Sequence, residues 1–157
     1  MRILIFSDTH ENISNIELVV KNEGKFDKAF FCGDGAGDCD YFESRLNCPV
    51  WRVNGNNDFF TGARSAIDTE IEGKKIHMEH GHRLHCYDIQ NLCYAAEANK
   101  WDVLLFGHTH RCLIYEDQGR FIVNPGSLYQ PRDGQMPSYI VMETDGQGNF
   151  TFTPGHI

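Results

Sequence analysis

Five short segments bring Asp, Asn and His together in clusters: Ser7-Asp8-Thr9-His10, Gly33-Asp34-Gly35, Gly55-Asn56-Asn57-Asp58, His80-Gly81-His82 and Gly107-His108-Thr109-His110. They offer the carboxylates of Asp8 and Asp34, the imidazoles of His10, His80, His108 and His110, and the amide oxygen of Asn56. Hard oxygens and borderline nitrogens without a thiolate suit Mn, Fe, Zn or Ni better than Cu(I) or an iron–sulfur cluster. Seven donors are too many for one tetrahedral zinc with four ligands, whereas two metals sharing a carboxylate would use them all. Two metals about 3.5–4 Å apart form a clamp for in-line displacement at phosphorus.

Taken singly, each cluster has an ordinary reading. Gly33-Asp34-Gly35 is a common turn, and the amides of 55–58 can bond to their own backbone. Two imidazoles one residue apart, directly after an apolar run, are a poor choice for stability alone. It is the ordered set that points to one site.

What must position these residues is a series of short apolar runs read as strands, at 2–6, 28–32, 50–53, 75–79 and 102–106, each running into one of the five clusters. Later runs at 113–116, 121–123, 139–143 and 150–153 are paired by hairpin turns at "EDQGR" and "TDGQGN". Helical spacing appears at Ile13, Ile16, Val19 and Val20 after the candidate cap Asn12, and at Ile89, Leu92, Cys93 and Ala96 after Asp88. A shorter helix is expected over 41–46. Strands alternating with helices early and hairpins late predict an α/β layered domain with mixed sheets. In such sheets ligands bind outside the carboxyl ends of the strands, where all five clusters fall.

The chain has 157 residues, long enough for one domain with a full core, and its 41% hydrophobic and 23% charged content is that of a globular protein. No repeat or linker divides it, so 1–157 is read as one domain. A net charge of −8 without a basic stripe disfavours long nucleic acid as a partner, while bound cations would offset part of that charge at a phosphate. No segment approaches the ~20 apolar residues of a membrane span, and "MRILIFSDTH" turns polar too soon for a signal peptide. The expected location is therefore cytoplasmic, with no membrane partner. Six cysteines without a CxxC spacing are read as reduced thiols, several of them small buried apolar residues.

The ordered series Asp8-x-His10, Gly33-Asp34, Gly55-Asn56-x-Asp58, His80-Gly81-His82 and Gly107-His108-Thr109-His110 resembles the calcineurin-like metallophosphoesterases. With Asn124-Pro125-Gly126-Ser127 following in a short chain, it is most similar to the small prokaryotic YfcE-type phosphodiesterases. The resemblance runs from residue 1 to about Arg132. It implies a metallo-dependent phosphatase-like fold, a four-layer α-β-β-α sandwich with two mixed β-sheets. It also implies two divalent metal ions, Mn2+ first, with Ni2+, Zn2+ or Fe2+ as alternatives. Asp8, His10 and His110 would hold one metal and Asn56, His80 and His108 the other, with Asp34 bridging. A hydroxide between the metals would then attack a small phosphodiester.

Asn57 departs from the wider family, many members of which carry histidine there. An amide can donate a hydrogen bond but is no general acid at neutral pH, which favours diesters over demanding monoesters. The leaving group's proton would come from water, His82 or His85. Ser127 and Arg132 are further candidates for the substrate phosphate, because a planar guanidinium suits two oxygens. Asp58 is expected to hold its loop or the neighbouring imidazoles. The alternative is a non-catalytic metal-binding interaction scaffold of the same fold, as in the retromer subunit. The late strands leave an edge through which a homodimer could form.

Overall fold

The computed structural model describes residues 1–157. The first half holds β1 (Arg2–Phe6), α1 (Asn15–Glu23), β2 (Lys28–Phe31), α2 (Cys39–Leu46), β3 (Val50–Arg52), β4 (Ala66–Ile71) and β5 (Lys74–Glu79). The second holds α3 (Ile89–Asn99), β6 (Val103–Leu105), β7 (Cys112–Asp117), β8 (Arg120–Pro125), β9 (Ser138–Thr144) and β10 (Phe150–His156). Two five-stranded sheets form, in the orders β10-β9-β1-β2-β3 and β4-β5-β6-β8-β7. Both are mixed: β1, β2 and β3 run parallel, as do β5, β6 and β8, with antiparallel strands outside them.

The alternation of side chains along each strand decides the layers. Leu4 and Phe6 of β1 pack against Ile16 and Val19 of α1 and Phe42 of α2, while Ile3 and Ile5 pack against Ile76, Met78 and Leu105 of the other sheet. Leu104 and Ile122 turn away from that interior onto Leu92 and Ala96 of α3. The result is the four-layer α-β-β-α sandwich that the family resemblance implies. No helix is long and apolar enough to cross a membrane.

Most predicted elements lie where the periodicity puts them, including both late hairpins. Asp88 caps α3, its Oδ1 accepting from Gln90 N–H at 3.0 Å. Two features differ. β4 went unpredicted, because "AIDTEI" mixes acidic residues into its alternation and reads as a polar stretch; it pairs with β5 as an antiparallel edge strand. Asn12 does not cap α1: the helix begins after Ser14, whose hydroxyl donates to Asn12 Oδ1 at 2.8 Å.

Candidate metal centre

All five clusters lie just past the carboxyl ends of parallel strands, three from one sheet and two from the other. Backbone bonds tie their loops together: Asp8 N–H to Gly33 O (2.9 Å), His10 N–H to Asp34 O (3.0 Å) and Gly107 N–H to His80 O (3.0 Å). Asp8, His10, Asp34, His108 and His110 have φ of 54°, 45°, 59°, 64° and 56°. Left-handed backbone costs a non-glycine residue about 1–3 kcal/mol and persists only where its surroundings over-determine it. Five of the seven candidate donors carry this strain, which nothing in the sequence pattern announces.

The donor atoms converge. Asp8 Oδ1 lies 3.1 Å from His110 Nε2 and 4.0 Å from both His10 Nε2 and His80 Nε2. Asp34 Oδ2 lies 3.5 Å from His80 Nε2 and 4.0 Å from His10 Nε2. Asn56 Oδ1 is 3.2 Å from His80 Nε2, and the Nε2 atoms of His10 and His110 are 3.3 Å apart. The His108 ring stands edge-on to that of His80 with centroids 5.1 Å apart, and its backbone N–H donates to Asp8 Oδ2. Six of the seven predicted donors therefore bring their donor atoms within 4.0 Å of another, and the His108 ring lies alongside them. Two groups have their donor atoms within 4.8 Å of one another, Asp8–His10–His110 and Asp8–Asp34–His80.

The hydrogen bonds behind the rings show which ring atoms face the carboxylates. His110 Nδ1 lies 2.6 Å from Gln130 O and His80 Nδ1 2.7 Å from Cys32 O. A carbonyl only accepts, so each Nδ1 carries a proton and each Nε2 turns a lone pair toward the carboxylates. Asp8 Oδ1 is buried with no hydrogen-bond partner. Acceptors facing acceptors in a buried site require a cation between them, either a proton or a metal ion. Divalent metals that take oxygen and imidazole ligands fit this donor set.

The titration behaviour agrees. Burial would raise the Asp34 carboxyl, but hydrogen bonds and charge from His80 and hydrogen bonds from Asn57 hold it well below the carboxylate range. Burial opposes charging His80, yet Asp34 and Asp8 push its pKa upward. Burial and the neighbouring His80 hold His108 and His82 down. Cys32, behind the site, is kept a thiol by burial and by Asp8. All six cysteines are free.

A second set of residues braces the loops. Asp58 accepts four backbone N–H groups, from Asp34 (2.8 Å) and Gly55 (2.7 Å) at Oδ2 and from Gly35 (2.8 Å) and Ala36 (2.9 Å) at Oδ1. Asn57 donates from Nδ2 to Asp34 Oδ2 (2.6 Å) and from its backbone N–H to Oδ1 (2.9 Å), so its amide holds a candidate ligand. Asn124, fully buried, donates to Gly107 O (2.7 Å) and Thr109 Oγ1 (3.0 Å); the sequence reading includes it within the Asn124–Ser127 motif but gives it no role.

Ser127, expected near substrate, is fully buried. Its hydroxyl donates to Asp8 O (2.8 Å) and accepts from Tyr129 and Gln130 N–H. Arg132 is exposed, and its backbone N–H reaches His110 O (2.8 Å). The His82 ring lies 5.5 Å from that of His80, while His85 is exposed. Two glycines are required by close approach: a Cβ on Gly55 would sit 2.0 Å from Asp34 Oδ1, and one on Gly107 2.7 Å from Asp8 Oδ2.

A sandwich that gathers oxygen and imidazole donors at its strand ends has the architecture of a metal-dependent phosphoesterase. Residues 1–147 match the family described as the calcineurin-like phosphoesterase superfamily domain, and the chain belongs to that family. It is 31% identical over 147 residues to the probable metallophosphoesterase YsnB of Bacillus subtilis, covering 90% of this chain and 83% of that protein. Phosphodiesterase MJ0936 of Methanocaldococcus jannaschii is 26% identical over 166 residues, covering 92% and 94%. Among solved structures, wild-type Vps29 complexed with Zn2+ from Entamoeba histolytica superposes with a TM-score of 0.81 at 24% identity, covering 99% of this chain and 98% of that one. That last likeness concerns the fold alone.

Proposed function

We propose that the protein is a phosphodiesterase working with two divalent cations, manganese foremost, on a small phosphodiester, with 1–157 acting as one catalytic unit. The observation that carries this reading is the unpartnered Asp8 Oδ1, held 3.1 Å from a lone-pair nitrogen of His110. Asp8, His10 and His110 would hold one cation, and Asn56, His80 and His108 the other. Asp34, with Oδ2 between His10 and His80, would be shared. When bound, the cations supply Lewis-acid neutralisation of the phosphoryl oxygens and a lowered pKa for water.

The chain's own part is orientation. Nδ1–H bonds to Gln130 O and Cys32 O fix the lone-pair directions of His110 and His80, and Asn57 and Asp58 fix Asp34 and its loop. Asn57 cannot protonate a leaving group, so solvent or His82 must do so. This favours diesters with stable leaving groups, in line with a relative named as a phosphodiesterase. A non-catalytic metal-binding scaffold is the second reading, favoured by adjacent Phe59 and Phe60, both exposed on the surface.

The test is to strip the protein of metal and add back Mn, Ni, Zn or Mg singly. Calorimetry counts the ions and the protons they release, and hydrolysis of bis-p-nitrophenyl phosphate is compared with that of the monoester. The expected result is two Mn ions, net proton release and preferential diester cleavage. Two bound ions without turnover would overturn the enzyme reading in favour of the scaffold.

A further inference from the structure

The candidate donors would meet cations and phosphate oxygens, which all phosphodiesters share, so they do not distinguish one phosphodiester from another; discrimination has to come from a neighbouring surface. One lies close by: a cavity of about 310 Å3, walled mainly by apolar groups that include Tyr87, Ile89, Phe106 and Leu113, with Thr109, the residue between the candidate donors His108 and His110, in its lining. Its polar side carries Arg111 and Asp133. Tyr87 joins the two places: its ring stands edge-on to that of His108 with centroids 5.8 Å apart, and it also lines the cavity. That ring is 69% exposed and belongs to none of the three apolar clusters, so folding does not account for its position.

The volume sits at the lower end of the range for small-molecule pockets, about 300–1,000 Å3, and suits a ring system rather than a protein segment. An alkyl chain would need only the apolar walls. The aromatic face of Tyr87 and the flat, exposed guanidinium of Arg111 offer stacking surfaces instead. The Asp133 carboxylate is oriented by the N–H groups of Cys112 and Gln135, each at 3.0 Å, and can still accept from a polar ring edge.

We propose that this cavity receives a flat aromatic substituent of the phosphodiester, a nucleobase in a biological substrate, with Tyr87 as its stacking wall. The proposal rests on the phosphodiesterase reading above and narrows its substrate class to short nucleotide diesters. The −8 net charge fits a short ligand rather than a long strand.

The test measures binding, so it stands apart from turnover. Manganese-loaded protein is titrated calorimetrically with AMP, with ribose 5-phosphate, which lacks only the base, and with octyl phosphate. AMP is expected to bind about tenfold or more tighter than ribose 5-phosphate, in keeping with base–aromatic stacking. The ratio should fall toward one in Tyr87→Ala and survive in Tyr87→Phe; the exposed position makes either substitution compatible with folding. Equal binding of AMP and ribose 5-phosphate, or no binding of either, would overturn the proposal. So would octyl phosphate gaining as much as AMP, since the cavity would then take an alkyl chain. If the base is recognised but no diester is cleaved, the phosphodiesterase reading fails while the cavity assignment stands.

Discussion

Asp58 makes the most quantitative test of how the centre is held. Its carboxylate accepts N–H groups from Asp34, Gly35, Ala36 and Gly55, at 2.7–2.9 Å, and so joins the loop bearing Asp34 to the loop bearing Asn56. Asp58→Ala leaves four donors without a partner. Each such bond contributes on the order of 1 kcal/mol net, and more when the acceptor is charged. The carboxylate is only partly buried, so water re-satisfies some of the donors. The loss should then be about 2–4 kcal/mol, a large part of the ~5–15 kcal/mol by which domains are stable. Urea denaturation of the metal-free protein measures it without linkage to bound ions. Calorimetry should in addition show Mn affinity falling about 10- to 100-fold, the usual consequence of losing a residue that orients ligands. Asp58→Asn keeps the shape but aims an NH2 at two of the donors, and should lose much of the same stability. If Asp58→Ala unfolds within about 0.5 kcal/mol of the parent and binds Mn equally well, the four bonds do not hold the site.

Gly55→Ala should weaken Mn binding at least about tenfold, since its Cβ would meet Asp34 Oδ1 at 2.0 Å and Asp34 N at 2.5 Å. Gly37→Ala, with nothing within 4 Å, is the control, and equal affinities in the two variants would refute the close-approach argument. His77 offers a pH test away from the centre. It stacks on Trp101 at 3.7 Å, and its Nδ1 lies 2.8 Å from Asp68. Burial disfavours its charge, but Glu79 and Asp68 outweigh burial and raise its pKa above 6.5. The folded state thus holds the proton more tightly, and the stabilisation is complete below pH 6.5 and lost as pH rises through the raised value. The excess stability of the parent over His77→Gln should be larger at pH 6 than at pH 9 in urea unfolding; equal differences would sink the assignment.

The gathering of the donor residues was legible because chemistry and position coincide across the ordered set: five clusters of Asp, Asn and His, each directly after an apolar strand. The α/β layering followed from the order of strands and helices and the four layers from family resemblance; which residues of the apolar run 2–6 face which layer, Leu4 and Phe6 against Ile3 and Ile5, appears only in the structure. What stayed hidden depends on geometry that residue type does not encode. β4 hid because an edge strand tolerates acidic residues. Ser127 was a candidate phosphate contact from its place in the Asn124–Ser127 cluster, whereas the loop folds inward and its hydroxyl braces Asp8 O and two N–H groups. Tyr87 gave no signal at all, since exposure beside a site is a tertiary property.

The strain, the crowded acceptors and the bracing are parts of one arrangement. Left-handed backbone at five donors and a carboxylate facing a lone pair at 3.1 Å both oppose formation of the site. The bonds of Asp58 and Asn124 work in the other direction and hold the loops assembled. A cation that binds only the folded chain adds about 2.7 kcal/mol at a hundredfold excess over its Kd. That is comparable to the loss expected for Asp58→Ala, so saturating Mn should restore much of that variant's stability even at reduced affinity. The bracing residues therefore act mainly on the energy needed to preassemble the donors. A variant lacking a donor itself, such as Asp34→Ala, should differ in kind, because added metal has less to bind and recovers less of the folding free energy.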